Sequence, residues 1–292
     1  MLLLIYNVDI CDGTAIKDIV ERTRPDMCVH MAAESHVDRS IDSADIFIQT
    51  NIMGTYTLLS TFLPYTKNHP SFRFLHVSTD EVFGTLGAEG AFDEDSSYRP
   101  NSPYAASKAS SDLLVRSFIK TYDFPAMIIN TSNNYGPCQY PEKLLPLTIL
   151  NALNHQPLPI YGNGQQVREW LYVGDHVAAL LLLLDKGRLG ESYCIGSHQE
   201  QRNIDVVRKV CSILDALVPI DHSYADLITF VADRPGHDVR YATNSSKIQK
   251  EIGWKPQMNF DDGLRKTVEF YIHNREKFDK VSHARTRIGL TR

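Results

Sequence analysis

Only five cysteines occur in the 292 residues, and no two stand at a metal-binding or redox spacing. That leaves no cysteine-built zinc site or dithiol motif, and widely spaced reduced thiols suit a cytoplasmic protein. The eleven histidines are scattered too, so no metal is expected. Basic residues are not in excess: the net charge is −5, which gives no basis for nucleic-acid binding. The longest apolar run, Val177 to Leu184, is far too short to cross a bilayer, so no membrane partner is expected. Met1 to Tyr6 carries neither a basic leader nor a small-residue cleavage site, and reads as a buried strand. The basic end from His283 onward reads as a solvated terminus. Internal repeats and low-complexity stretches are absent as well.

What is present is an ordinary globular composition, 43% apolar and 22% charged. Apolar runs at Leu2–Val8, Met27–Met31, Phe72–Val77 and Ala126–Asn130 read as strands. They alternate with helical spacing at Thr14–Arg24, from about Ile46 to Leu63, and at Pro103–Tyr122, where Pro103 suits a first helical turn. Apolar strands alternating with helices predict an α/β fold, a Rossmann-like doubly wound parallel sheet covered on both faces. After Tyr135-Gly136-Pro137 the elements shorten, with helical patterns at Leu144–Leu153, Val173–Leu184, Ile204–Leu217 and about Gly263–Asn274. The expected division is a sheet domain of residues 1–136 and 168–198, and a smaller α/β substrate domain of 137–167 and 199–292. The excursion from about Glu169 to Ser197 is expected to return to the sheet.

The chemistry concentrates in two segments. The third apolar strand runs into Ser78-Thr79-Asp80-Glu81-Val82-Phe83-Gly84, beyond the carboxyl end of a strand, where ligands on parallel sheets gather. Successive strand side chains oppose each other, so Asp80 and Glu81 share a site only if the chain has already turned, which Gly84 permits. Tyr104 and Lys108, four apart on a helix, share a face. A tyrosine acting as base near neutrality needs its pKa brought down from about 10 to near 7, about 4 kcal/mol. One cation about 4 Å away at an effective dielectric near 20 supplies about that much. By itself the Tyr/Lys spacing is common on amphipathic helices.

These segments, with Ala32–Ser40, Thr50–Thr55, Ser102–Asp112, Ser132–Pro137 and Ala232–Asp238, resemble the extended short-chain dehydrogenase/reductase superfamily. Within it the chain resembles the dTDP-glucose 4,6-dehydratases, and the Thr79-Asp80-Glu81 triplet points to dehydratase rather than 4-epimerase. The resemblance implies NAD as cofactor and a nucleotide-sugar, dTDP-glucose by preference, as substrate. Tyr104 and Lys108 would serve the redox steps, Glu81 would take the C5 proton, Asp80 would protonate the leaving C6 hydroxyl, and Thr79 would hold O4. Asp9 and Ile10 would lie by the adenine, with Met31, Ala32, Ala33, Glu34, Thr50 and Asn134 along the cofactor. Ser35, Asn133, Lys143, Leu144, Pro159, Ile160, Tyr161, Arg168, Asn203, Asp233, Arg234 and His237 would surround the substrate. Guanidinium groups at Arg168 and Arg234 match diphosphate oxygens in pairs. A homodimer through the helices near Thr50–Leu63 and Pro103–Tyr122 is a family expectation. Cys194 stands where relatives commonly carry Asn.

One expected part has no counterpart. The resemblance implies a strand, a Gly-x-x-Gly-x-x-Gly turn and a helix before Met1, roughly 50 residues on the spacing of such folds. The reading is therefore of an incomplete copy, through a misassigned start or a degraded gene, and an inactive remnant is an alternative beside the 4-epimerase. Gly84, Gly87 and Gly90 have the glycine spacing, but an acidic turn rather than an apolar helix follows them.

Overall fold

The computed structural model describes residues 3–279. Helix α1 (Gly13–Thr23) leads into strand β1 (Met27–His30). Two short helices, α2 (Val37–Asp42) and α3 (Ala44–Phe47), then run through a π-helical segment, Ile48–Met53, into α4 (Gly54–Thr66). Next come β2 (Arg73–Thr79), a 3-10 turn at Asp80–Phe83, α5 (Pro103–Tyr122), β3 (Ala126–Thr131) and β4 (Asn133–Tyr135). The chain continues through α6 (Leu144–Leu153), β5 (Leu158–Tyr161), β6 (Val167–Tyr172), α7 (Val173–Lys186), β7 (Ser192–Ile195) and β8 (Glu200–Arg202). It closes with α8 (Asn203–Leu217), β9 (Ile228–Val231), α9 (Ser246–Ile252), α10 (Phe260–His273) and α11 (Arg275–Asp279).

The main sheet is parallel, in the order β1-β2-β3-β7. Alternation along its strands sends side chains to opposite faces. Phe74, Ala126 and Ile128 pack under α1, α4 and α5, while Leu75, Met127 and Ile129 pack against α7 and α9. Both faces are thus covered, which is why these strands read as unbroken apolar runs. A separate core forms around α6, α8 and α10, with Tyr135, Trp170 and Phe260 at its centre.

One expectation is corrected. Residues 3–9 form no strand: Leu3, Leu4 and Ile5 are 77, 56 and 83% exposed. Strand β1 pairs only with β2 among the described residues, so that apolar run has no neighbouring strand to bond with, and a lone strand leaves its backbone groups unpaired. The excursion from Glu169 to Ser197 returns to the main sheet only through β7, because β6 pairs with β4 and β8. The basic end from His283, and Leu2 of the first apolar run, lie outside the described residues.

The second core is tight where α10 meets β4. A Cβ added at Gly263 would lie 2.2 Å from the Tyr135 hydroxyl. Tyr135 is fully buried and cannot swing aside. Alanine would gain about 1 kcal/mol of helix propensity, but overpacking costs about 1–3 kcal/mol, and with the tyrosine immobile the upper part of that range applies. Gly263→Ala is expected to lower the midpoint of denaturant unfolding, and an unchanged midpoint would show that α10 shifts freely.

Candidate active site

Strand β2 ends at Thr79, whose hydroxyl accepts from the N–H of Glu81 at 3.2 Å and caps the 3-10 turn. That turn carries Asp80 and Glu81 off the strand geometry, as their sharing of one site requires. Gly84 completes it at φ +86, with its would-be Cβ 2.3 Å from the Arg99 carbonyl oxygen, so only glycine fits. Helix α5 starts at Ser102, which accepts from Ala105 N–H at 3.1 Å, and Pro103 takes the first turn. Tyr104 and Lys108 are both buried on the α5 face toward β2, and Lys108 Nζ donates to the Val77 carbonyl at 2.8 Å.

Asn51 was not identified from the sequence as a site residue, yet it joins three parts of the site. Its amide nitrogen donates to the Glu34 carbonyl and the Ser107 hydroxyl at 3.0 and 2.8 Å, and its oxygen accepts from Glu34 N–H at 2.9 Å. The signal available was an amide in the middle of a helical run. The π-helical segment there aims it inward, a common use of such bulges.

The charges around the two acids differ. Burial pushes the Asp80 carboxyl well up, and Glu81 and Glu169 add to this against Arg168 and Thr79. Burial also raises Glu81, but Arg168, Arg234 and Lys143 pull it down. Burial thus raises both carboxyls, Asp80 with further carboxylates beside it and Glu81 with more cations, an unequal setting of the kind that two neighbouring acids of separate roles need. Burial, Glu81 and Asp80 together push the Tyr104 phenol up, with the bond to Thr79 opposing. Burial and nearby cations also bring His36 and His237 down to about 4, so both rings are neutral at pH 7.

Glu81 forms part of the wall of a cavity. Of the residues expected around the substrate, Ser35, Asn133, Lys143, Leu144, Ile160, Tyr161, Arg168, Asn203, Arg234 and His237 line it. Pro159 does not. Asp233 stands behind it, accepting from Gln166 at 3.0 Å and bonding His237 at 2.6 Å. Thr79, Asp80, Tyr104 and Lys108 also lie outside its lining. Arg168 stacks over Tyr241, 4.3 Å from ring centre, and not on Trp170, which packs against Tyr135 and Phe260. Arg234 donates to Asp38 at 3.2 Å, and the Tyr161 hydroxyl donates to the same carboxylate at 2.7 Å. His36, Asp38, Gln139, Glu142, Asp238 and Tyr241 line the cavity but were missed from sequence: the first two and Asp238 lie inside family-like segments with no role assigned to them, and the others lie in none.

The residues expected along the cofactor are more dispersed. Met31, Ala32, Ala33 and Glu34 leave the carboxyl end of β1, and Thr50 sits in the π-helical segment. Asp9 closes a turn with Cys11 and Asp12, and Ile10 packs beneath Gly54. Asn134 donates to the Thr131 hydroxyl and the Ser132 carbonyl, each at 3.2 Å. The redox end of a dinucleotide fits: Asp80 Oδ2, Ser132 Oγ and Asn134 Oδ1 are buried without a partner, and Asp80 lies close enough to Tyr104 to act on its phenol. The Gly84–Gly90 loop does not fit a phosphate, because Arg240 donates to the carbonyls of Gly87 and Gly90. Cys194 is buried on β7 beside Phe83 and Tyr241, and burial holds it as a thiol. Among the described residues no group of His, Cys, Asp and Glu is placed to hold a metal ion. None of their helices is long and apolar enough to cross a membrane.

Residues 3–267 match the family model described as GDP-mannose 4,6 dehydratase. The chain is 55% identical over 271 residues to a probable dTDP-glucose 4,6-dehydratase of Sinorhizobium fredii, covering 91% of this chain and 77% of that protein. Among solved structures it is similar to the dTDP-glucose 4,6-dehydratase of Streptomyces venezuelae with NAD bound. The TM-score there is 0.86 at 43% identity, over 94% of this chain and 81% of that one. A Thermus thermophilus UDP-glucose 4-epimerase in complex with NAD gives a TM-score of 0.82 at 25% identity, over 91% and 84% of the two chains.

Proposed function

The chain belongs to the dTDP-glucose 4,6-dehydratase family, and from that premise we propose that it converts dTDP-glucose to dTDP-4-keto-6-deoxyglucose with NAD. The observation that carries the reading is the unequal setting of Asp80 and Glu81: Arg168 acts on both, while Glu169 bears on the first and Arg234 and Lys143 on the second. A 4-epimerase needs no such pair.

Bound NAD supplies the hydride acceptor at C4 and the hydride donor at C6. Tyr104 takes the O4 proton, Lys108 offsets the phenolate charge, and the Thr79 hydroxyl orients O4. Once C4 is a ketone, the C5 proton is acidic, and Glu81, ionised beside Arg168, Arg234 and Lys143, removes it. Asp80, still protonated, delivers its proton to the C6 hydroxyl, which leaves as water. Tyr104 and Lys108 with Met31, Ala32, Ala33, Glu34, Thr50 and Asn134 hold the cofactor, and Asp9 and Ile10 stand toward its adenine. Arg168, Arg234 and Lys143 take the diphosphate, whose arrival at Arg234 competes with Asp38. Ser35, Asn133, Leu144, Pro159, Ile160, Tyr161, Asn203, Asp233 and His237 complete the nucleotide-sugar site.

Residues 1–136 with 168–198 act as the cofactor half, and the remainder as the substrate half. Two copies pair through α4 and α5, where Met53, Tyr56 and Leu113 leave apolar surface exposed. Five free cysteines suit a reducing cytoplasm. The test is incubation of the purified chain with dTDP-glucose, with and without added NAD, and with UDP-glucose as competitor. The expected product is the 4-keto-6-deoxy sugar of dTDP. Inversion at C4 without loss of water would establish an epimerase instead.

A further inference from the structure

Helix α5 carries Tyr104, Lys108 and Asp112 at intervals of four, on one face. The mechanism above uses the first two and leaves Asp112, which has no exposed surface. Both of its oxygens are engaged. Oδ1 bonds His76 Nε2 at 3.1 Å, and Oδ2 accepts from the Ser78 and Tyr98 hydroxyls at 2.8 Å each and from the Asn130 amide at 3.1 Å. These partners come from β2, from β3 and from the loop before α5. Asn130 also holds the Thr79 carbonyl at 3.1 Å.

We propose that Asp112 is a positioning residue for the oxidation step: it is the buried counter-anion that keeps Lys108 an ammonium, and it locks α5 against the end of β2. Its bonds hold Tyr104 and Lys108 in register with Thr79, Asp80 and Glu81. Burial would raise the Asp112 carboxyl, but the bond to His76, the charge of Lys108 and the Ser78 bond bring it below the usual range. For Lys108 burial works downward and Asp112 upward. A buried ammonium without an anion is costly and gives up its proton instead.

Among the described residues no other group is placed to substitute. His30 on β1 and His76 on β2 are both held neutral by burial, with Lys108 adding to this. Strand β3 and the π-helical segment offer the amides Asn130 and Asn51. On α2, Asp38 serves Arg234 and Arg39 pairs with Glu142 at 2.9 Å, and on α3 Asp45 faces solvent with Ser43. Tyr98 donates to Asp112 itself, and Asp80 and Glu81 act on Tyr104.

The activity arm of the test rests on the dehydratase reading, while the charge of Lys108 can be read without substrate. In chain labelled with [ζ-15N]lysine, with Lys108→Met to assign its signal, Lys108 is expected to be an ammonium at pH 7. In Asp112→Asn it should lose its proton at least about one pH unit earlier. The same substitution should slow C4 oxidation about 100-fold and move the alkaline limb of its pH profile downward by the same interval. Tyr98→Phe removes one bond to the carboxylate and keeps its charge, so that limb should stay in place. Neutral Lys108 at pH 7 in the unaltered chain would overturn the proposal even if Asp112→Asn does not fold. So would an Asp112→Asn chain whose lysine titration and alkaline limb are unmoved. If the unaltered chain turns over no dTDP-glucose, the dehydratase reading fails, and the lysine titration still decides Asp112.

Discussion

Glu81→Gln is expected to lower formation of the 4-keto-6-deoxy product by about 10³–10⁴-fold, the upper part of what a positioned base contributes, while C4 oxidation continues. Glu81 is the one acid of the pair that Arg168, Arg234 and Lys143 hold toward its ionised form. Glutamine keeps the shape and loses the proton acceptor. The measurement is exchange of the C5 hydrogen with deuterated water, followed beside oxidation at C4. Exchange should vanish and the oxidised sugar should accumulate. Equal loss of both steps would mean that Glu81 holds the site together and is not the base.

Tyr104→Phe should produce the opposite pattern, with oxidation at C4 falling by about 10³-fold. When a 4-keto nucleotide-sugar is supplied directly, C5 exchange should persist, because Glu81 and Asp80 remain. The pH dependence has a definite sign. Burial and the two carboxylates raise the phenol, so the oxidation rate of the unaltered chain should climb as pH rises toward the tyrosine's ionisation. In Tyr104→Phe that rise should be absent. A rise that survives the substitution would assign the base to another group. The pair of variants thus separates proton removal at O4 from proton removal at C5, and a general collapse of the site would depress both readouts together.

Much of the architecture was legible because it is local. The β2, β3 and α5 segments were readable from unbroken apolar runs and from Pro103 at a helix start, and Gly84 marked the turn that releases Asp80 and Glu81. Leu2–Val8 misled because apolar content reports a wish for burial, not the presence of a neighbouring strand. The pairing of β6 with β4 and β8 was not legible, because the sheet a strand joins depends on neighbours distant in sequence. Asn51 and Asp38 stood inside family-like segments and Tyr241 in none, but their roles arise from partners far away in sequence. Asp38, for instance, meets Tyr161 and Arg234 across 123 and 196 positions.

By itself, then, the sequence determined the alternating α/β order, the family resemblance and the residue types available for oxidation and water loss. Those follow from periodicity and from ordered motifs, both of which are properties of neighbours along the chain. Tertiary structure alone supplies the unequal surroundings of two adjacent carboxylates. Asp80 and Glu81 differ by one position, yet Glu169 stands near the first, while Arg234 and Lys143 gather on the second. These charges arrive from distant segments. Coulomb energy and desolvation depend on distance and burial in space, so these surroundings could not be read from the positions next to Asp80 and Glu81 in the chain.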